Sequence, residues 1–434
     1  MTRIAPIQRD NARESRRVIG ATFIGTTIEW YDFFLYAASA ALIFAPQFFP
    51  GDDPVASQIG AFATFAFGFI ARPLGGILAG HFGDRIGRKR MLILSLYVMG
   101  GATVLIGLVP NVGTIGVWAP ILLCVLRVAQ GLGVGAEWGG AVTMAIEHAP
   151  ADRRALYGAA PTIGLPAGLG LANLVLIVLM ATTGPAFHEW GWRIAFVASA
   201  VLVFVGVWAR HRLGESPLFE ESVKKAPERV PFAQVLRHFL PQLILTIFVA
   251  GVPSILSYIV LTWALNYGTV DIGYSSSSLL WIGIGCCALQ IVMVPFLARV
   301  ADRTGLVRWA VAGAVLMGIT AFTFFLLFDT GNLALAAVGT VLAHASTSFA
   351  WAVVPPLLTR AFPARVRYTG ISMAYQFGAI VGGGFAPLIA TSLLAATGTP
   401  ISVAVYVAIA SAVMLVCALL LARTRIHHDT APAA

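Results

Sequence analysis

Long apolar runs separated by short polar ones make up most of this chain. A helix needs about 20 apolar residues to cross the hydrocarbon core of a bilayer. Runs of roughly that length fall at 18–46, 55–80, 91–110, 115–146, 155–182 and 192–209, then at 238–267, 275–298, 308–328, 332–359, 368–396 and 400–422. They predict an all-α membrane protein with twelve transmembrane helices. The longest polar interruption, 210–237, sets Glu215, Glu220, Glu221 and Glu228 among Pro217, Pro227 and Pro231, and it divides six helices from six. The expected organisation is an N-terminal tail (1–17), a six-helix bundle (18–209), a linker (210–237), a second six-helix bundle (238–422) and a C-terminal tail (423–434).

Charge orients these helices. Of 28 Lys and Arg residues, all but Arg72, Arg127 and Arg193 fall in the two tails and in every second connection between apolar runs. Cytoplasmic loops keep basic residues and translocated loops avoid them, so both termini are expected to be cytoplasmic. A chain that is 58% hydrophobic and 11% charged cannot hide its apolar surface in a water-soluble globule, which makes lipid one of its solvents. The net charge of +9 does not indicate nucleic acid, because the basic residues sit in short juxtamembrane loops, where anionic lipid meets them, instead of clustering on one folded face. Cys124, Cys286, Cys287 and Cys417 lie in apolar runs without metal-ligand spacing and read as packing residues, so neither metal nor cofactor is expected. The charged stretch 1–17 leads into a long apolar run with no small-residue cleavage site, and that first segment is expected to stay in the membrane.

The two halves echo each other. Gly80, Asp84, Arg85, Gly87, Arg88 and Lys89 follow the second apolar run, while Asp302, Arg303 and Gly305 follow the eighth, at the matching place in the second half. A repeated six-helix unit is a common way to build a central site that opens to either side of a membrane. The first block resembles the loop signature of the major facilitator superfamily, with a degraded second copy at Asp302. The run from Arg127 through Gly131, Gly133 and Gly135 is similar to that superfamily's fourth-helix motif. Three further stretches resemble the metabolite:proton symporter family: Ile28 to Phe33, Gly68 to Gly76 and Phe362 to Gly370. Within it, Thr114 to Pro120 and Glu137 to Ala141 look most like the shikimate and organic-acid branch. The resemblance runs essentially end to end. It implies two pseudo-symmetric six-helix bundles, a bacterial inner-membrane location and monomeric function. Osmosensing members carry a long heptad tail that is missing after Leu421, and the fifth helix lacks the glycine–proline pattern associated with proton–drug antiporters. The first departure disfavours betaine or proline uptake with osmosensing, and the second favours uptake by symport over efflux.

Ionisable residues deep in a membrane are costly and therefore functional candidates. They are Glu29 and Asp32 in the first helix, Arg72 in the second, and Arg127 and Glu137 in the fourth. Glu29 and Asp32 share a helix face, and two neighbouring carboxylates do not readily carry charge together. A proton arriving on either would release Arg127, if it sits opposite, to bind an anion; the alternative is a structural ion pair between the first and fourth helices. Arg72 has two readings, as a contact for a substrate carboxylate or as the partner of a neighbouring acid. Glu137 has no assigned partner. Tyr31, Tyr375 and Gln376 are candidate pocket walls. His344, deep in the tenth run, reads as a satisfied interhelical hydrogen bond in preference to a proton relay, and Arg193, beside Trp190 and Trp192, as an anchor at the outer interface. Gly80, Asp84, Arg85, Gly87, Arg88, Asp302 and Arg303 are expected to stabilise one access state by capping a helix or pairing across the halves.

The expected activity is proton-coupled import of a small organic acid of shikimate-, dicarboxylate- or tricarboxylate-like chemistry, by alternating access. Its partners would be the organic anion, protons and the bilayer. Uptake of a zwitterion such as a betaine or amino acid is the alternative within transport. A membrane-embedded enzyme would need a nucleophile, metal cluster or acid–base pair that this charge-poor second half does not offer, and the interior carboxylates argue for coupling over passive flow through a channel.

Overall fold

A computed structural model describes residues 7–86, 88–135, 142, 153–211 and 231–424. The long helices are labelled in chain order: α1 (Ile7–Ser39), α2 (Pro54–Ile86), α3 (Arg88–Leu108), α4 (Trp118–Val134), α5 (Arg154–Thr183), α6 (Trp192–His211), α7 (Leu240–Tyr258), α8 (Ser276–Thr304), α9 (Leu306–Phe328), α10 (Leu333–Trp351), α11 (Ala364–Ala379) and α12 (Ile401–Arg423). Among the described residues, ten helical stretches are long and apolar enough to cross a membrane, and two shorter apolar helices span Ile93–Leu108 and Trp118–Val134. Helix α1 starts at Ile7, upstream of the predicted apolar run, because hydropathy marks lipid contact and backbone hydrogen bonding does not stop where lipid does. Glu137, the 212–230 part of the linker, Gly87 and residues 425–434 lie outside the described residues.

Local chemistry sets the helix ends. Asp53 Oδ1 accepts from Val55 N at 2.8 Å to start α2 behind Pro54, and Asn332 Oδ1 accepts from Ala334 N and Leu335 N at 2.9 and 3.3 Å to start α10. Each satisfies donors that the first turn of a helix leaves over. Gly184, with φ +55, ends α5 in a conformation that side chains resist. Three helices run on through π turns: α1 through Ala40–Phe44, α7 through Ile259–Trp263 and again through Gly268–Ile272, and α11 through Ile380–Gly384.

The packing repeats. In the first half α1 packs on α5 and α6, α2 on α4, and α3 on α4 and α6. Each of these contacts recurs six helices later: α7 on α11 and α12, α8 on α10, and α9 on α10 and α12. Helix α5 meets α8 and α2 meets α11 and its π turn, and these are among the contacts that join the halves. Apolar side chains face outward, with Phe204 71% and Val292 69% exposed, while Glu29, Asp32, Arg72 and Arg127 are each at most 1% exposed. That inversion is what a bilayer solvent requires.

Small residues let α2 and α4 approach closely. A side chain at Gly131 would run into the Gly68 carbonyl. Gly131→Val should therefore lower stability by about 1–3 kcal/mol through overpacking, whereas Gly101→Val, at a position with nothing within 4 Å, should leave it unchanged; thermal unfolding in detergent compares the two. At the turn after α9, Tyr267 donates to Asp329 Oδ1 at 3.1 Å. Burial raises the Asp329 carboxyl above its ordinary 3.8, against the smaller opposing effect of that hydrogen bond. A group raised on folding stabilises most below its unfolded value and loses that contribution as pH rises through the folded one. The stability difference between wild type and Asp329→Asn, which keeps an acceptor for Tyr267, should accordingly change from pH 4 upward in favour of the variant.

Candidate functional site

Helices α1, α2 and α4 bring two arginines into the interior of the first half. Arg72 on α2 donates through Nη2 to Glu29 Oε1 on α1 at 3.1 Å, with both side chains buried. Its guanidinium carbon lies 4.9 Å from the Phe33 ring centroid, 5.0 Å from Trp30 and 5.4 Å from Phe69. Arg127 on α4 lies 3.8 Å from the Phe33 centroid, 4.1 Å from Tyr36 and 4.9 Å from Phe65. Phe33 thus touches both cations. A desolvated cation over a ring gains about 2 kcal/mol or more, and here three rings surround each guanidinium. Gly68 makes room for this: a Cβ there would sit 2.5 Å from Arg127 Nε.

Arg127 does not meet Asp32 directly. Its Nη1 donates to Gln130 Oε1, Gln130 Nε2 donates to Thr103 Oγ1 at 2.8 Å, and Thr103 Oγ1 lies 3.1 Å from Asp32 Oδ2. Thr103 has one proton to give, and the Met99 carbonyl at 3.0 Å competes for it. The hydroxyl therefore points to Asp32 when that carboxylate is charged and can turn to Met99 when it is not. Ser199 on α6 is a second hydroxyl beside Asp32. The condition that Arg127 sit directly opposite a first-helix acid is not met: the rings of Phe33, Tyr36 and Phe65 hold it one relay away, and Arg72 takes up its alternative reading as the partner of a neighbouring acid, Glu29.

Several donors remain unused. Arg72 Nε and Nη1 and Arg127 Nε and Nη2 are buried without a hydrogen-bond partner, as is the Tyr258 hydroxyl. Tyr258, on α7, stands among Phe34, Phe65 and Phe69 with ring centroids 5.5, 5.6 and 5.7 Å away. Tyr375, on α11, lies within electrostatic reach of Arg72 and Glu29. Buried guanidinium donors are costly to leave unmade, so these atoms can take an acceptor group, and a carboxylate matches the guanidinium fork.

Other candidates lie elsewhere. The Tyr31 hydroxyl donates to the Ala195 carbonyl at 3.1 Å and braces α1 on α6. Gln376 Nε2 donates to the Gly135 carbonyl at 2.8 Å, tying α11 to the end of α4 across the halves. Arg193 donates to the carbonyls of Gly107 and Val109 and closes the end of α3. His344 Nε2 lies 3.2 Å from Gln290 Oε1, whose Nε2 donates to Thr347 Oγ1 at 3.3 Å, making a neutral network between α8 and α10. Gly80, Asp84 and Arg85 fall in the last turns of α2 and Arg88 opens α3, with their side chains outside the described set. Asp302 accepts from Ala155 N at 3.1 Å and Leu156 N at 3.3 Å, capping α5 across the halves, and Arg303 is exposed beside it.

Thr103, Gln130 and Ser199 were not anticipated. Gln130 stands three residues after Arg127 on one helix face, a spacing that could have found it. Nothing distinguishes Thr103 or Ser199 from other hydroxyls in apolar helices.

A model of the Major Facilitator Superfamily matches residues 22–291. The chain is 40% identical over 415 residues to the shikimate transporter of Escherichia coli (strain K12), covering 94% of each chain. It is 39% identical over 416 residues to the inner membrane metabolite transport protein YhjE of the same organism, again with 94% of each covered. Among solved structures, the proton:xylose symporter XylE bound to 6-bromo-6-deoxy-D-glucose matches with a TM-score of 0.76 at 18% identity, covering 95% of this chain and 96% of that one. Ten membrane-length helices, a buried cationic site and these matches define a multi-pass membrane transporter, not an enzyme. The chain belongs to the Major Facilitator Superfamily, with metabolite transporters of the bacterial inner membrane as relatives.

Removing one partner of a buried ion pair typically costs about 3–5 kcal/mol, because a charge is left uncompensated. Glu29→Gln should show such a loss, and the double change Glu29→Gln with Arg72→Gln should recover part of it. Thermal unfolding of the purified variants at one pH measures both.

Proposed function

We propose that this protein is a proton-coupled symporter that imports a small organic anion by alternating access. The observation that carries the reading is the pair of fully buried arginines, Arg72 and Arg127, with unused donors around one shared aromatic ring, each linked to a first-helix acid. The relative at 40% identity is named a shikimate transporter, and shikimate is a cyclic monocarboxylate. That chemistry suits a guanidinium fork flanked by aromatic faces. A betaine's ammonium would need those faces, but both arginines already occupy them, so an anion is the better fit.

In this reading all twelve labelled helices cross the membrane as two six-helix bundles, 18–209 and 238–422, with the linker and both termini cytoplasmic; the repeating contacts support that division. The protein works as a monomer. A proton on Glu29 weakens its hold on Arg72, and a proton on Asp32 removes the negative end of the relay to Arg127. Either change leaves a guanidinium ready for the substrate carboxylate. Arg72 and Arg127 bind that carboxylate, while Tyr375 and Tyr258 wall the site. Asp302 of α8, capping α5, and the Gly80 to Arg88 block hold the cytoplasmic side closed until substrate and proton are both aboard.

Uptake of radiolabelled carboxylates into proteoliposomes with an inwardly directed proton gradient tests this reading. Shikimate or a related carboxylate should accumulate, and Arg72→Lys and Arg127→Lys should each lower uptake at least about tenfold, because an ammonium cannot reproduce the fork. Asp32→Asn should abolish gradient-driven accumulation while sparing exchange of labelled for unlabelled substrate. Accumulation of betaine with no competition from any carboxylate, or undiminished accumulation by Asp32→Asn and Glu29→Gln, would sink the proposal.

A further inference from the structure

The far ends of α1, α2 and α7 meet in a small polar contact distinct from the arginine site. Helix α1 passes there through its π turn, Ala40–Phe44, and a π turn leaves a carbonyl without the usual helical partner. The Ala40 carbonyl accepts from Gln58 Nε2 on α2 at 3.1 Å. The Ala41 carbonyl accepts from Asn266 Nδ2 at 2.9 Å, and the same Asn266 amide lies 3.1 Å from Gln58 Oε1. Asn266 belongs to the continuation of α7, between the two π turns of that helix. One amide from the second half therefore bridges a carbonyl and a side chain of the first.

The surroundings make this contact directional. Gln58 is buried, and so are Ala41 and Phe44 in the π turn of α1 and Ala264, Leu265 and Tyr267 on either side of Asn266 in the chain. The opposite ends of the halves are tied by different groups, Asp302 on the α5 terminus and Gln376 on Gly135. Parting α7 from α1 and α2 exposes the Ala41 carbonyl and the Asn266 amide to water, which replaces their lost partners. The net loss per hydrogen bond is then about 1 kcal/mol, small enough to be reversed in every cycle yet large enough to shift populations.

We infer that Asn266 and Gln58 are positioning residues of the transport cycle: together they latch the non-cytoplasmic end shut, and their hydrogen bonds set the fraction of protein that faces outward. This rests on the alternating-access reading above. Asn266→Asp keeps the shape and loses the donor, Asn266→Leu loses both polar functions, and Gln58→Leu removes the second partner.

Spin labels at Asp52 and Thr330, in exposed turns of the two halves at this end, report the opening by their separation in proteoliposomes, on a background with the native cysteines replaced. Each variant should raise the open fraction about 5- to 30-fold, the range that one or two kcal/mol gives. The apparent KM for external substrate should fall with the larger competent fraction, while the maximal rate falls because closure is slower. Loss of folded protein alone would lower the rate and leave KM unchanged. Asn266→Gln, which retains a donor, should move both readouts back toward wild type. Unchanged label separations in folded Asn266→Asp, Asn266→Leu and Gln58→Leu would overturn the latch. Shifted separations in a protein that transports no carboxylate would uphold the latch and remove the transport reading instead.

Discussion

Two guanidinium ions in the interior of a membrane protein must be compensated on the spot, because both are shut off from bulk solvent in this conformation. The cost of a central arginine in lipid is several kcal/mol on any scale, and the arrangement of the first half answers it. Glu29 supplies an opposite charge to Arg72, the rings of Trp30, Phe33, Tyr36, Phe65 and Phe69 supply polarisable faces, and Gln130 and Thr103 carry the link from Arg127 to Asp32. All of this requires α1 to be enclosed: 94% of its most apolar window is buried, against 39% for α12. A helix so enclosed is released from the demand to present apolar side chains to lipid. It can carry two acids and still sit at the centre of a membrane protein.

The second half uses the same packing without the charge. In the first half the arginines stand at the α2 and α4 contact; six helices later, at the α8 and α10 contact, Gln290, His344 and Thr347 form a neutral hydrogen-bonded set. The backbone repeat has therefore been kept while its chemistry diverged. A neutral network needs no ion partner, so the second half can slide against the first without parting buried charges of its own. Its contributions to the arginine cluster are aromatic, through Tyr258 and Tyr375.

Much of the architecture was legible in the chain because hydropathy and loop charge respond to the solvent, and a bilayer is a strongly contrasted solvent. Helix continuity was less legible. The start of α1 at Ile7 and the π turns of α1, α7 and α11 are decided by backbone hydrogen bonds that leave no trace in hydropathy. Glu29, Asp32, Arg72 and Arg127 stood out because charge is rare in apolar runs. Which acid meets which arginine did not, since that depends on how far α1 and α2 are rotated about their axes. Phe33, the ring shared by both cations, is one of 27 phenylalanines and carried no mark of its role. Gln58 was equally unmarked, since its role comes from a carbonyl displaced on a neighbouring helix.

The arginine cluster also has an electrical reading. With both first-helix acids ionised, its two arginines and two acids sum to zero, and the site then presents no net charge to the field across the membrane. Taking on one proton with one monoanion preserves that zero. A charge crossing the full field is worth about 2.3 kcal/mol per 100 mV, and a neutral loaded site forgoes that term in either direction. Import of a monocarboxylate in that ratio would draw on the pH difference while ignoring the voltage, and a dianion carried with one proton would have to climb against it. Under the proposed symport, the ratio of protons to anion charge therefore decides whether a cell spends its pH difference alone or its voltage as well to collect the cargo.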